Sequence, residues 1–367
     1  MPKTTKKKTN ASGSSAAEFV MSGFDWAAPM SDHDTHRDSR WVGPNVPGFC
    51  LGLDALGVPE GVTEVAGDSG SGKTTLCVQT AIAAARDYAE EGCLVAYFSG
   101  EARPPSGIQR VLGGSAVPIV HVPIYTVEGS QNKLINLCNR FAEWKEANGK
   151  PDALLLVIYD SIGQTPSISD VSKAEENAGA DDNKAFKVGA HAKAVKSLLQ
   201  TIKYQRKFHR LVFLAINRTY STISRTGVST EVSVGGKQIP HLSSTRLRLR
   251  KLRDVKHTDG TTIGQNVRVK IVKSDFRMVG QFDLKMLRNN GYVLSDDDLE
   301  LGVELGLVEK YFQGFKTTDR IVSGQVKWRS NADMASQSLH SDPAYIELAT
   351  ALTLEVQSRI MSDRGLA

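Results

Sequence analysis

The sequence predicts an α/β protein built around a mostly parallel sheet, and three observations carry that expectation. Short runs that are apolar at almost every position recur at 93–99 (CLVAYFS), 153–160 (ALLLVIYD) and 210–217 (RLVFLAIN). Such runs suit strands buried on both faces, the setting of a parallel sheet. Helical patterns separate them, as a sheet covered on both sides requires. One further strand, VTEVAG at 62–67, runs straight into a glycine-rich stretch, GDSGSGKTT at 67–75.

That stretch fills GxxxxGK[ST] position by position with Gly67, Asp68, Ser69, Gly70, Ser71, Gly72, Lys73 and Thr74, followed by Thr75. Glycines let consecutive backbone N–H groups turn towards phosphate oxygens, and the helix that follows directs its positive end there. Lys73 is placed to reach the β and γ phosphates of a nucleotide, and the Thr74 hydroxyl to ligate Mg²⁺. The strand before and the helix after (TTLCVQTAIAAARDYAEE, 74–91) supply the context the motif needs.

Along the chain, NKLINLCNRFAEWKEA (132–147) is helical, with Leu134, Leu137, Phe141 and Trp144 on one side. In 186–207, Val188, Ala192, Val195, Leu199 and Ile202 fall at helical spacing. TRLRLRKL (245–252) and NVRVKIVK (266–273) alternate polar and apolar residues, which predicts half-exposed strands of an antiparallel extension. Two short helices, at 296–310 and 343–360, mark a small C-terminal α/β appendage.

At the ends of the buried strands stand the chemical candidates. Asp160 follows seven apolar residues and is placed to hold Mg²⁺ through water. Glu101 lies just past strand 93–99, either as the base that orients water or as a solvated loop carboxylate. Asn217 and Arg218 end the strand 210–217 where ligands of parallel sheets bind, and are positioned to sense a γ phosphate. Two long connections follow, at about 164–184 and 219–237, both longer than compact domains ordinarily use. The second is rich in Ser, Thr and Gly; Arg225 and Lys237 are placed to meet phosphates, and Gly235 and Gly236 allow close backbone approach. Arg246, Arg248 and Arg250 share one strand face, as a basic outer surface or as a DNA contact.

Composition narrows the class. With 367 residues, 40% hydrophobic and 23% charged, the chain is an ordinary globular sequence. Its net charge of +5 permits a polyanionic partner without requiring one. Four cysteines without a CxxC pair argue against a zinc site or disulfide framework and fit a reducing, cytoplasmic setting. The longest apolar run, at 153–159, is too short to span a membrane. The first 17 residues contain no acid and suit a disordered basic tail, with a transit peptide as the alternative. No NKxD motif is present, which favours ATP over GTP.

Six segments carry a resemblance to the RecA family of homologous-recombination ATPases, including phage-type members. They are PGFCLGLDALGVPEGVTEVAGDSGSGKTTL, YFSGEARPPSGIQRVLGG, VIYDSIGQTP, FLAINRTYS, VGGKQIPHLSSTRLRLRKL and VRVKIVKSDF, spread from about residue 45 to 330. The resemblance implies a RecA-like P-loop NTPase core at 46–282 with DNA-binding loops, a basic tail and oligomerisation arm at 1–45, and a small C-terminal domain at 283–367. It implies Glu101 as the catalytic glutamate, Lys73 and Lys273 as catalytic cations, and Lys273 on the face that meets a neighbouring subunit's ATP. Lys193 matches a basic DNA-contacting position. The implied partners are single-stranded DNA, a homologous duplex, further copies in a helical filament, and single-strand-binding and loader proteins. Phe24 to Ala27 (FDWA) resembles a tether between subunits. A hexameric RecA-fold helicase and a mediator that does not hydrolyse nucleotide remain the alternatives. Three positions depart from the family pattern: Arg218 stands where Gln is common, Ile108 where an aromatic stacks on adenine, and Asp275 where a second lysine accompanies Lys273.

Overall fold

The computed structural model describes residues 40–100, 106–112, 117–177, 189–223, 229–236, 238–257, 259–275, 280–311, 314–328, 334 and 336–364. The expected tail and FDWA tether lie outside them. Residues 40–367 form one compact unit.

The chain begins with β1 (Trp41–Val42), α1 (Pro47–Leu53) and β2 (Val58–Pro59), with β1 and β2 paired antiparallel. β3 (Gly61–Gly67) leads through the glycine-rich loop into α2 (Lys73–Asp87). Then come β4 (Cys93–Ser99), α3 (Ser106–Val111), β5 (Ile119–Pro123), α4 (Val127–Asn148) and β6 (Leu154–Asp160). After α5 (Ile168–Asn177), α6 (Ala190–Gln205) and β7 (Arg210–Asn217), an antiparallel pair forms from β8 (Thr219–Ile223) and β9 (Ser229–Ser233). A short α7 (Gln238–Leu242) precedes β10 (Thr245–Lys256), β11 (Thr262–Ser274), β12 (Gly280–Leu287) and β13 (Gly291–Val293). The chain closes with α8 (Asp296–Glu304), β14 (Val308–Tyr311), β15 (Gly314–Thr317), β16 (Lys327–Trp328) and α9 (Pro343–Asp363).

Nine strands make the central sheet, in the order β13-β12-β11-β10-β3-β7-β6-β4-β5. From β10 to β5 every neighbour is parallel, whereas β11, β12 and β13 add antiparallel. The α/β expectation therefore holds, with one refinement. β10 was expected wholly within the antiparallel extension, yet Thr245–Leu249 pair parallel with Thr63–Gly67 of β3. Its first half alternates buried and half-buried residues because both faces are covered there. The change of direction falls at the β10–β11 turn, not before β10.

Alternate residues of the central strands feed two cores. Val65, Leu156, Ile158, Leu214 and Ile216 face α2, together with Leu76, Val78 and Ile82. Leu155, Val157, Tyr159, Phe213 and Ala215 face α4 and α6. Burial of this area is what holds the layers together, at roughly 25 cal/mol per Å² of apolar surface. On α4 the buried stripe is Leu134, Cys138 and Phe141; Trp144, expected inside, stays 41% exposed and stacks on Phe141 with centroids 5.8 Å apart. On α6 the stripe runs Ala194, Val195, Leu198, Leu199 and Ile202, and the helix starts after Gly189, which takes a positive φ of 89°. Val188 lies outside the described residues.

The two long connections contain regular structure. Ser167 and Asp170 cap each other reciprocally: the Ser167 N–H donates to Asp170 Oδ2 at 3.0 Å, and the Asp170 N–H to Ser167 Oγ at 3.3 Å. That S-x-x-D box starts α5. The β-branched Thr219, Thr222 and Ile223 suit β8.

Near the C-terminus, Leu299, Val308, Val326, Trp328, Tyr345, Leu348 and Leu352 build a third core against Leu287 and Val293. His340 is buried in this region, with its Nε2 3.1 Å from the Tyr292 carbonyl. Burial holds its pKa at about 4 against the usual 6.5. The unfolded chain therefore binds a proton below pH 6.5 that the folded chain refuses. Its stabilising contribution is complete above pH 6.5 and is lost as pH falls towards 4. Asp87, raised to about 6 by burial, works in the opposite direction as pH falls. We expect His340→Gln to flatten the fall of stability between pH 6.5 and 4 by close to one proton in urea melts. An unchanged slope would show that His340 is charged in the fold.

All four cysteines are free, and burial pushes the thiols of Cys50, Cys93 and Cys138 up to about 12. Cys77 is also pushed up by burial. Such buried thiols are inert. No helix of the described residues is long and apolar enough to cross a membrane.

Candidate nucleotide site

The parallel register brings the chemical candidates to one edge. Ser99 of β4 lies beside Asp160 of β6, Asp160 beside Ile216 of β7, and Asn217 beside Ala66 of β3. The carboxyl ends of β3, β4, β6 and β7 thus meet around a cleft of about 460 Å³. Its walls include Ser69, Gly70, Gly72, Lys73, Thr74, Thr75, Tyr97, Asp160, Gln164 and Arg218.

Glycine is required at two turns of the loop. Gly67 has φ 151°, and a Cβ there would run into the Leu249 carbonyl. Gly72 has φ 89°, and a Cβ would meet the Tyr292 hydroxyl at 2.5 Å. Gly72 caps α2 with no side-chain hydrogen bond, so the first-turn N–H groups remain available at the helix's positive end. Ser71 Oγ is buried without a hydrogen-bond partner among the described residues. An orphaned hydroxyl beside free N–H groups fits a phosphate.

Lys73 Nζ folds back to donate to the Asp68 carbonyl at 2.6 Å. Burial pushes its pKa below the usual lysine range, Asp160 opposes that shift and Arg218 adds to it. Thr74 Oγ1 donates to Asp160 Oδ2 at 3.0 Å, setting a hydroxyl and a carboxylate together, hard oxygen donors of the kind that could hold Mg²⁺.

The same Asp160 oxygen accepts the Tyr97 phenol at 2.7 Å. Tyr97 is a residue that sequence reasoning missed, since an aromatic in an apolar strand reads as core. Tyr97→Phe removes a hydrogen bond to a charged group, typically about 1.5–3 kcal/mol, part of which the Thr74 bond retains. The Mg²⁺ concentration that half-saturates nucleotide binding should then rise roughly three- to tenfold, with affinity in EDTA unchanged. An unaltered Mg²⁺ dependence would reduce the phenol to packing.

At the end of β7, Asn217 is fully buried and faces away from the cleft. Its amide nitrogen donates to Glu64 Oε1 at 2.7 Å and to the Val234 carbonyl at 2.8 Å, while Oδ1 accepts the Arg218 N–H at 2.8 Å. The cleft wall here is Arg218. Its guanidinium packs against the side-chain amide of Gln164, and Ser161 Oγ lies 3.1 Å from that amide on the other side. Arg246, expected on a basic outer face, instead donates through Nε to Glu64 Oε2 at 2.6 Å and through Nη2 to Ser233 Oγ at 3.2 Å. Two further contacts clamp the loop: Gln265 Nε2 to the Gly70 carbonyl at 2.9 Å and the Tyr292 hydroxyl to the Gly72 carbonyl at 3.2 Å. None of these long-range partners has a local sequence signature.

The expected DNA contacts gather elsewhere. Lys193 is exposed on the first turn of α6, and a Cβ on Gly236 would meet Ala192 Cβ at 2.9 Å, so Gly235 and Gly236 pass beside that helix start. Lys273 lies outside the cleft, its Nζ donating to the Ser243 carbonyl at 2.6 Å and 3.6 Å from Asp275 Oδ1. Glu101, Arg225 and Lys237 lie outside the described residues.

A strand, a GxxxxGK[ST] loop and a helix, with an acid ending a neighbouring parallel strand, define the phosphate-binding α/β class. Within it, residues 143–291 match the family profile described as the RecA N-terminal domain. Protein RecA of Chlorobium chlorochromatii (strain CaD3) is 30% identical over 267 residues, covering 71% of this chain and 67% of its own. Protein RecA of Legionella pneumophila is 26% identical over 288 residues, covering 77% and 74%. Protein RecA of Gluconobacter oxydans (strain 621H) is 26% identical over 325 residues, covering 87% and 82%. The chain belongs to the RecA family, a family of recombination and repair proteins.

Proposed function

We propose that this chain is an ATP-dependent DNA recombinase that assembles as a helical filament on single-stranded DNA and pairs it with a homologous duplex. The observation that carries the proposal is the shared edge of the sheet. The cleft beneath the glycine-rich loop is bounded by Gln164 and Arg218, and the two connections expected to meet DNA leave from those same residues.

In this reading Gly67 to Thr75 surround the phosphates of ATP. Thr74 and Asp160 hold Mg²⁺, whose charge offsets that of the phosphate oxygens. Glu101 orients the attacking water. Lys273, which lies outside the cleft, serves a neighbouring copy's ATP and makes turnover depend on assembly. Lys193, Arg225, Gly235, Gly236 and Lys237 contact the DNA backbone without reading its sequence. Single-strand-binding and loader proteins are the further partners of such a filament, and the cytoplasm is its setting.

The test is ATP turnover measured with and without single-stranded DNA, alongside electron microscopy. Turnover should be close to nil without DNA and rise steeply with it, and open helical filaments should appear with ATP. Closed rings, or turnover indifferent to DNA, would overturn the reading.

A further inference from the structure

We propose that Tyr292 is a positioning residue of the nucleotide site. Its hydroxyl holds the Gly72 carbonyl and thereby aims the Lys73 N–H at the phosphates, while its backbone ties the loop to the segment around His340. Occupancy of the loop and docking of that segment become one coupled equilibrium. The proposal rests on nucleotide binding at the glycine-rich loop and adds a control on it from 220 residues along the chain.

Peptide geometry supplies the first link. The Tyr292 hydroxyl donates to the Gly72 carbonyl at 3.2 Å, and the Leu76 N–H donates to the same oxygen at 2.9 Å. In a planar trans peptide the C=O and the N–H that follows it point to opposite sides. Fixing the Gly72 carbonyl along α2 therefore aims the Lys73 N–H out of the helix start, back towards the loop. First-turn N–H groups have no partner within their own helix, so this one is available to a phosphate oxygen. The approach is close. A Cβ on Gly72 would meet the Tyr292 hydroxyl at 2.5 Å, and one on Gly291 would meet Gln79 Oε1 at 2.8 Å and Thr75 Cγ2 at 3.1 Å. The start of β13 is thus pressed against the first turns of α2.

The second link is the Tyr292 backbone, which α2 and the C-terminal segment share. Its N–H donates to Gln79 Oε1 at 2.9 Å, and its carbonyl accepts Gln79 Nε2 at 2.8 Å and His340 Nε2 at 3.1 Å. Asn290 holds the same segment: its Oδ1 accepts the Leu339 N–H at 3.1 Å and its Nδ2 donates to the Met334 carbonyl at 2.9 Å. Gln79, Asn290, Tyr292 and His340 are all buried, so a partner lost among them is not replaced by water. A shift of the loop or of α2 therefore moves Tyr292, and Tyr292 carries the shift to Leu339 and His340. By linkage the converse holds: whatever loosens that segment weakens nucleotide binding by the same factor. Gln265 offers a comparison, because it holds the neighbouring Gly70 carbonyl at 2.9 Å from β11.

The test uses the full chain, dilute and without DNA, as the parent, Tyr292→Phe and Gln265→Leu. Binding of ADP and of a non-hydrolysable ATP analogue, each with Mg²⁺, is measured by displacement of a fluorescent nucleotide. Amide exchange is followed across 336–345 with and without saturating nucleotide. Phenylalanine keeps the buried ring, and the Gly72 carbonyl keeps the Leu76 N–H, so Tyr292→Phe should fold. It should weaken ADP and the analogue alike by roughly two- to tenfold, the worth of a neutral hydrogen bond. Saturating nucleotide should slow exchange at 336–345 in the parent and in Gln265→Leu, but not in Tyr292→Phe. A simple loss of stability would instead raise exchange equally with and without nucleotide. Parental affinity in Tyr292→Phe, slowing that persists in it, or slowing absent from the parent or from Gln265→Leu would overturn the assignment. Failure of the parent to bind either nucleotide, or parental binding by Lys73→Ala, would instead overturn the nucleotide site itself, and this proposal with it.

Discussion

Lys73→Ala should weaken ATP binding by at least roughly 10²–10³-fold, because a charge-assisted contact to phosphate is lost together with the cation. In the free protein the ammonium is held 2.6 Å from the Asp68 carbonyl, curled over the loop. Burial disfavours its charge and Asp160 favours it, so the lysine is a partly desolvated cation kept ready for an anion. A triphosphate replaces a neutral carbonyl partner with charged oxygens. Alanine removes both the bond and the cation, leaving the α2 N–H groups and Arg218 to bind alone. Isothermal titration with a non-hydrolysable analogue measures the change, and unfolding in the absence of nucleotide should be altered far less than binding. Parental affinity in the variant would mean that phosphates sit elsewhere.

Arg246→Ala should destabilise the folded chain by about 3–5 kcal/mol, the usual consequence of leaving a buried charge unpaired. Glu64 has a side chain only 1% exposed and Arg246 one of 12%, and their contact is 2.6 Å. The other Glu64 oxygen accepts Asn217, and Arg246 also reaches Ser233. Removing the arginine strands a carboxylate under β7, whereas Glu64→Gln leaves a more exposed arginine that water can solvate. The second substitution should therefore cost less than the first. Replacing both residues with apolar ones of similar volume should recover much of the loss, since well-packed apolar pairs often equal buried ion pairs. Urea melts of the three variants decide it. If Arg246→Ala and Glu64→Gln destabilise equally, the asymmetry of burial is not what governs the pair. The Arg246→Ala variant should also loosen Ser233 and Val234, and thereby the connection expected to meet DNA.

Much of the fold was legible because its cause is local. Leu154–Tyr159 and Leu211–Ile216 are apolar at every position because both sheet faces are covered, and that is visible without tertiary information. The glycine-rich loop was legible for a similar reason: its conformation demands glycine at particular positions. The caps of α5 and α8 are equally local, with Ser167–Asp170 and Ser295–Asp298 each three residues apart, but neither stands out inside its run of polar residues. Less legible was the packing choice on α4, where Trp144 stays exposed and Cys138 is buried.

Sequence alone determined which residue types are available for phosphate chemistry: Lys73, Thr74, Asp160 and the glycines, all set by backbone geometry within a strand, a loop or a helix start. Tertiary structure alone decided how they are connected. Gln265 reaches the loop from 195 residues away and Arg246 reaches Glu64 from 182. Tyr97 meets Asp160 only because β4 and β6 lie side by side in parallel register. Asn217 and Arg218 show the division most clearly. Both end the same strand, but successive residues of an extended chain point to opposite sides. One is therefore buried on Glu64, and the other is left facing the cleft.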